Sequence, residues 1–179
     1  MKKILFTFIA LFISIYSFSQ DTFFNFKIVD NNKIIWQYVY NTELSRNEII
    51  DYFKIFGNMT IVEETEKRLI GCSSGEKIDF SKYKGTKISE TIFDNSLSYK
   101  IIVDIKDKKY RITVLNISFP KDSGVMIDEW GRTGGKSSII DNEYIKNGEI
   151  RKSFSKDGSE SLDKYFLDKF KAKNINLDF

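Results

Sequence analysis

Apolar residues recur along this chain at two different periods. Residues 23–29 and 34–40 are aromatic and β-branched runs separated by the polar Asp30-Asn31-Asn32-Lys33. Runs of that composition around a polar turn predict two strands joined as a hairpin. In the second run Trp36, Tyr38 and Tyr40 share one face, and Ile35, Gln37 and Val39 share the other. The period then changes. Ser45-Arg46-Asn47-Glu48 has the spacing of a capping box, with Leu44 and Ile49 placed for a hydrophobic staple. Ile49, Phe53 and Phe56 follow at helical spacing, with Ile50 beside them and Gly57 as a left-handed stop. A helix over 46–56, buried along that stripe, is the expectation.

Period two returns afterwards. Residues 59–64 and 68–73 predict a second hairpin turning at Thr65-Glu66-Lys67, and 75–94 is polar and weakly patterned, a loop or short edge strand. Leu97, Tyr99, Ile101, Val103 and Ile105 alternate with mostly polar residues. Asp107-Lys108 makes a turn, and Tyr110, Ile112 and Val114 carry the return strand. The apolar phase then slips to Leu115, Ile117 and Phe119, which marks a bulge or a strand outrunning its partner, and Pro120 ends it. Residues 120–157 form the least regular stretch, although Asn147-Gly148 between Ile145 and Ile150 suits a small type I′ hairpin. Leu162, Phe166 and Phe170 predict a last helix over 160–173, with Gly158-Ser159 as punctuation and cap. Hairpin-linked strands with few helices imply an α+β domain: an antiparallel sheet of five to seven strands with two helices on one face.

Residues 1–19 change the picture of where this domain works. Met1-Lys2-Lys3 is a short basic start, residues 4–18 carry no charge, and Ser17-Phe18-Ser19 offers small residues three and one before a cut ahead of Gln20. That arrangement reads as a signal peptide. The run is shorter than the roughly 20 apolar residues of a membrane span. The expected product is therefore a single domain over 20–179, periplasmic or extracellular, without a stable membrane span. It is not a lipoprotein, since the only cysteine is Cys72. Loss of Lys2 and Lys3 lowers the formal net charge of +3 by two, which argues against a nucleic-acid partner. Cys72 has no partner in the chain and, following the strand-like Leu69-Ile70-Gly71, is expected to be buried.

Candidate chemistry is sparse. With no histidine, Ser-His-Asp and Cys-His catalysis and His-containing zinc sites are excluded, and one cysteine excludes thiolate clusters. Gly131-Arg132-Thr133-Gly134-Gly135-Lys136-Ser137 approaches a phosphate-binding loop, but Trp130 stands where its first glycine belongs. Glu63, Glu64 and Glu66, and Asp104 with Asp107, lie near turns among lysines and arginines, as solvated hairpin ends do. No cofactor and no metal is expected. The aromatic stripe Trp36, Tyr38, Tyr40 has two readings: a platform for a partner, or core beneath the helices. Trp130, in the irregular stretch, is a candidate exposed anchor.

The order of these pieces resembles a domain of unknown function with a TBP-like fold, found in exported proteins of Bacteroidota. The resemblance rests on the 45–57 helix, on Glu66-Lys67-Arg68-Leu69-Ile70-Gly71, and on residues 99–112 with their Asp107-Lys108-Lys109-Tyr110-Arg111 bend. The family usually has glycine where Lys109 stands. What the resemblance implies is a fold; it brings no catalytic residue and no ligand. Two functions follow as expectations: a non-catalytic binding or interaction domain with a protein, peptide or glycan partner in the envelope, or a carboxylate-based hydrolase of glycans.

Overall fold

A computed structural model describes residues 23–29, 32–79, 82–83, 96–120, 126–127, 133–134 and 137–174. The expected signal peptide and Trp130 lie outside the described residues. The first hairpin is β1 (Phe26–Val29) and β2 (Lys33–Asn41). Helix α1 (Arg46–Phe56) follows, and then a meander of β3 (Thr60–Glu64), β4 (Arg68–Lys77), β5 (Ser96–Lys106) and β6 (Lys109–Pro120). The strands are ordered β1-β2-β6-β5-β4-β3, and β9 (Ser137–Ile139) adds to β6, giving a seven-stranded sheet. Because β2 pairs with β6, α1 must carry the chain from the middle of the sheet to its far edge at β3.

Alternation along the strands decides which face is covered. Trp36, Tyr40, Leu69, Tyr99, Ile101, Val103, Tyr110, Ile112 and Val114 are buried on one face, related by direct cross-strand pairing such as Tyr40 with Tyr110 and Val103 with Ile112. Ile49, Ile50 and Phe53 of α1 pack there, the Phe53 ring 5.9 Å from Tyr110. The last helix, α4 (Ser159–Lys169), joins it through Phe166, whose ring lies 5.3 Å from Trp36 and 5.4 Å from Tyr99. Two helices thus lie on one face of an antiparallel sheet, as the strand pattern implied. The opposite face carries Gln37, Arg111, Thr113, Asp104, Lys100 and Arg68, and its charges are partly neutralised locally, Asp104 accepting from both Arg68 and Arg111.

The phase slip in β6 is a bulge. Lys100 pairs with Leu115 but Ser98 pairs with Ser118, and Asn116 takes φ 54° where the extra residue is absorbed. Beyond the bulge Ser118, Phe119 and Pro120 pair with β9. Within 120–157 the structure contains more than the expected hairpin. It has a two-residue ladder of β7 (Met126–Ile127) with β8 (Thr133–Gly134), the short helix α2 (Ile140–Tyr144), β10 (Ile145–Lys146) paired with β11 (Glu149–Ile150), and α3 (Ser153–Asp157). Asn147 and Gly148 both have positive φ, 56° and 79°, the condition for a type I′ turn.

Several local expectations are corrected. Cys72 is exposed, because β4 buries Leu69, Gly71 and Ser73, and period two turns residue 72 outward. Phe56 is 55% exposed, so the α1 stripe ends at Phe53. Gly57 is right-handed (φ −64°) and the left-handed residue is Asn58 (φ 46°). Glycine is still required at 57, since a Cβ there would lie 2.3 Å from the Phe53 carbonyl oxygen. Helix α4 begins at Ser159 itself and stops at Lys169, short of 173; Ser159 is buried and caps nothing.

Candidate functional site

The aromatic stripe on β2 is mostly structural. Trp36 is fully buried and its indole N–H donates to Asp163 at 2.7 Å, while the Asn25 side chain donates to the same carboxylate oxygen at 2.8 Å. Tyr40 is also buried, and its hydroxyl donates to the carbonyls of Phe166 (3.2 Å) and Leu167 (3.1 Å). The Tyr110 hydroxyl donates to Phe170 O at 2.8 Å and accepts from Ala172 N. The last carbonyls of a helix lack intrahelical donors. Two tyrosines from the sheet supply them here, which is how a helix without a glycine cap is ended. Burial and neighbouring tyrosines push the Tyr40 hydroxyl pKa well up, and burial raises that of Tyr110 to about 12, so both remain donors. Tyr38 alone of the stripe reaches solvent, at 38% exposure. The β1 pairing stops at Phe26 opposite Trp36, leaving residue 38 beyond its cover.

A buried polar cluster, not singled out by sequence, joins β4 to α4. Glu76 accepts from Lys169, from the Tyr99 hydroxyl (2.5 Å) and from Ser73 (3.1 Å). Lys169 also lies over the rings of Tyr99 and Tyr165 at 5.9 and 5.7 Å. Burial alone would raise the Glu76 pKa, but hydrogen bonds from Lys169 and the tyrosine side outweigh it and leave the carboxyl below its usual range. Burial lowers the Lys169 pKa, and Glu76 offsets part of that. The Tyr165 hydroxyl is buried without a full hydrogen bond, and burial with the nearby Tyr99 and Glu76 raises its pKa strongly. Glu76 and Lys169 together hold α4 on the sheet.

Among the described residues a concavity opens to solvent. It has a volume of about 760 Å³ and is bounded by the β10–β11 turn, the start of α3 and Phe23. Lys146, Arg151, Lys152 and Lys156 line it, over a floor that includes Phe23 and Ile150. Glu149 is the one acid among its described lining residues. The backbone around it is tied down: Arg151 N donates to Tyr144 O at 2.8 Å and Phe154 N to Arg151 O at 2.9 Å. Phe154 is fully buried and its ring lies 6.4 Å from Phe23, joining the floor to the core. The site leaves no local signature in the sequence, because its cations belong to an irregular stretch and its floor comes from the opposite end of the chain.

No group of three or more His, Cys, Asp or Glu is arranged to hold a metal among the described residues, and no helix among them is long and apolar enough to cross a membrane. Ser137 of the glycine-rich segment opens β9, where a phosphate-binding loop would start a helix.

An antiparallel sheet with α1 and α4 on one face makes this an α+β domain of TBP-like architecture. Among solved structures the chain is similar to a TBP-like protein from Parabacteroides distasonis, with 15% identity and a TM-score of 0.50, over 80% of this chain and 94% of that one. It is also similar to a DUF4468 family protein from Bacteroides ovatus, with 17% identity and a TM-score of 0.51, over 85% and 94% of the two chains. At these identities the likeness establishes the fold. No family model matches the sequence, and no curated protein is significantly similar to it.

Proposed function

We propose that this chain is an exported, non-catalytic binding domain of the cell envelope, and that its ligand meets the basic pocket. One observation carries the reading: the concavity is lined by cations over an apolar floor, while the most buried carboxylates are committed to the fold. Glu76 holds Lys169 and Tyr99, and Asp163 holds Trp36 and Asn25. A carboxylate-based glycan hydrolase, the alternative, needs two carboxyls facing each other across a cleft. Among the described lining residues Glu149 is a single acid, and Asp104 is clamped between Arg68 and Arg111. The basic start and uncharged run of residues 1–19 support export.

The test expresses the chain with a C-terminal tag in a Bacteroidota host and follows it by fractionation and intact mass. The expected outcome is a product beginning at Gln20 in the periplasm or medium, with no turnover of envelope glycans. An uncleaved cytoplasmic product would overturn export, and glycan turnover by the pure protein would overturn the non-catalytic assignment.

A further inference from the structure

We infer that the pocket between the β10–β11 turn, α3 and Phe23 binds a small ligand carrying at least two anionic groups on an apolar or ring-shaped body; this rests on the binding-domain reading above. Size sets the class first. A volume of about 760 Å³ lies within the range of small-molecule pockets.

Charge sets the chemistry. Lys146, Arg151, Lys152 and Lys156 line one concavity with Glu149 as the acid among its described lining residues, and none of the four pairs with another described residue. Some cations elsewhere are neutralised by a neighbour: Lys54 pairs with Glu64, Lys164 with Glu160, Lys169 with Glu76, and Arg68 and Arg111 share Asp104. Like charges gathered over one concavity repel, and a bound anion reverses the sign of that interaction. The guanidinium of Arg151 suits a planar or tetrahedral oxyanion through paired N–H donors, while the lysines act as movable point charges.

Preorganisation adds the second argument. The type I′ turn at Asn147-Gly148 and the hydrogen bonds of Arg151 and Phe154 set the backbone before any ligand arrives. Ordering costs on binding then fall mainly on the cationic side chains. The floor determines the body of the ligand. Phe23 and Ile150 are partly buried and packed against the core, so they offer an apolar surface beneath the charges.

Carboxylate or sulfate groups on an acidic sugar and phosphate groups on a small metabolite share this chemistry, and the experiment separates the two. The amide spectrum of the purified protein is titrated with trigalacturonate, with inorganic pyrophosphate, and with neutral maltotriose. Shifts are expected within 146–156 for one or both anions and none for maltotriose, and the stronger anion names the source. Arg151→Glu with Lys152→Glu is expected to weaken binding about tenfold or more. The same charge change at the opposite end of β2, Lys106→Glu with Lys109→Glu, should alter it less than about twofold, as expected of distant screened charges. Absence of shifts in 146–156 with both anions, equal loss in the two double variants, or equal binding of maltotriose would each overturn the assignment. Glycan turnover by the pure protein is read independently, so failure of this site and failure of the binding-domain reading remain distinguishable.

Discussion

Glu76 and Lys169 show how single residues hold this fold together. Their side chains are 13% and 10% exposed, and the carboxylate oxygens are further occupied by Tyr99 and Ser73. Removing one member of such a pair leaves the other charge desolvated and unpaired. Glu76→Gln is therefore expected to cost about 3 kcal/mol in urea unfolding, the low end for buried pairs because this one keeps some contact with water. The effect has a pH signature. The folded pKa of Glu76 lies below the unfolded 4.5, so between the two values the unfolded chain binds more protons. The stabilisation is complete above 4.5 and is lost as pH falls through the folded value. Melting curves of the wild-type protein should fall toward those of Glu76→Gln across that window; parallel curves would show that the pair is not the source. None of this was legible locally. Glu76 sits in a stretch that reads as a polar loop, and its partner is 93 residues away. Cys72 is exposed against expectation for a related reason: apolar neighbours imply burial only if the strand phase is known.

At the scale of elements, local signals were faithful where they describe one segment's own backbone. The α1 capping box forms as its four residues imply, with Glu48 N donating to Ser45 Oγ and Ser45 N donating to Glu48 Oε2. Arg46 in the first turn extends that order outward, its guanidinium donating to the carbonyls of Thr65 and Glu66 at the β3–β4 turn. Ser45→Ala is expected to cost about 1 kcal/mol, the usual value of an N-cap, measured by urea unfolding. A cost near zero would mean that Arg46 alone holds this end. Helix ends were less legible. The α1 stop passed from Gly57 to Asn58, and α4 ends under tyrosine hydroxyls from β2 and β6 that no local motif announces. A residue that caps a helix from another strand leaves no mark in the helix's own sequence.

For the whole molecule, α4 is the element that closes the core. Leu162, Phe166 and Phe170 are fully buried, and Phe166 and Phe170 lie 5.3 and 6.0 Å from the Trp36 ring. Burial of each such side chain contributes about 1.5–3 kcal/mol. Three of them together are comparable to the roughly 5–15 kcal/mol net stability of a domain. A chain truncated after residue 157 should lose cooperative unfolding, and Trp36 fluorescence should shift to the red as its Asp163 and Phe166 partners disappear. A sharp transition with an unshifted spectrum would show that the sheet and α1 suffice.

The sequence by itself determined β1 to β6 in outline, the first helix and the phase slip in β6, because each is written in the periodicity and backbone preferences of neighbouring residues. It also determined that the domain is α+β, since hairpin-linked strands with two amphipathic helices pack in few ways. Only the tertiary structure decided that β2 meets β6, that Trp36 and Tyr40 lie under α4 while Tyr38 reaches solvent, and that Phe23 floors a pocket lined from 146–156. Those are contacts between segments far apart in the chain. A side chain's own neighbours decide which way it points, but what it meets there depends on how every other segment packs.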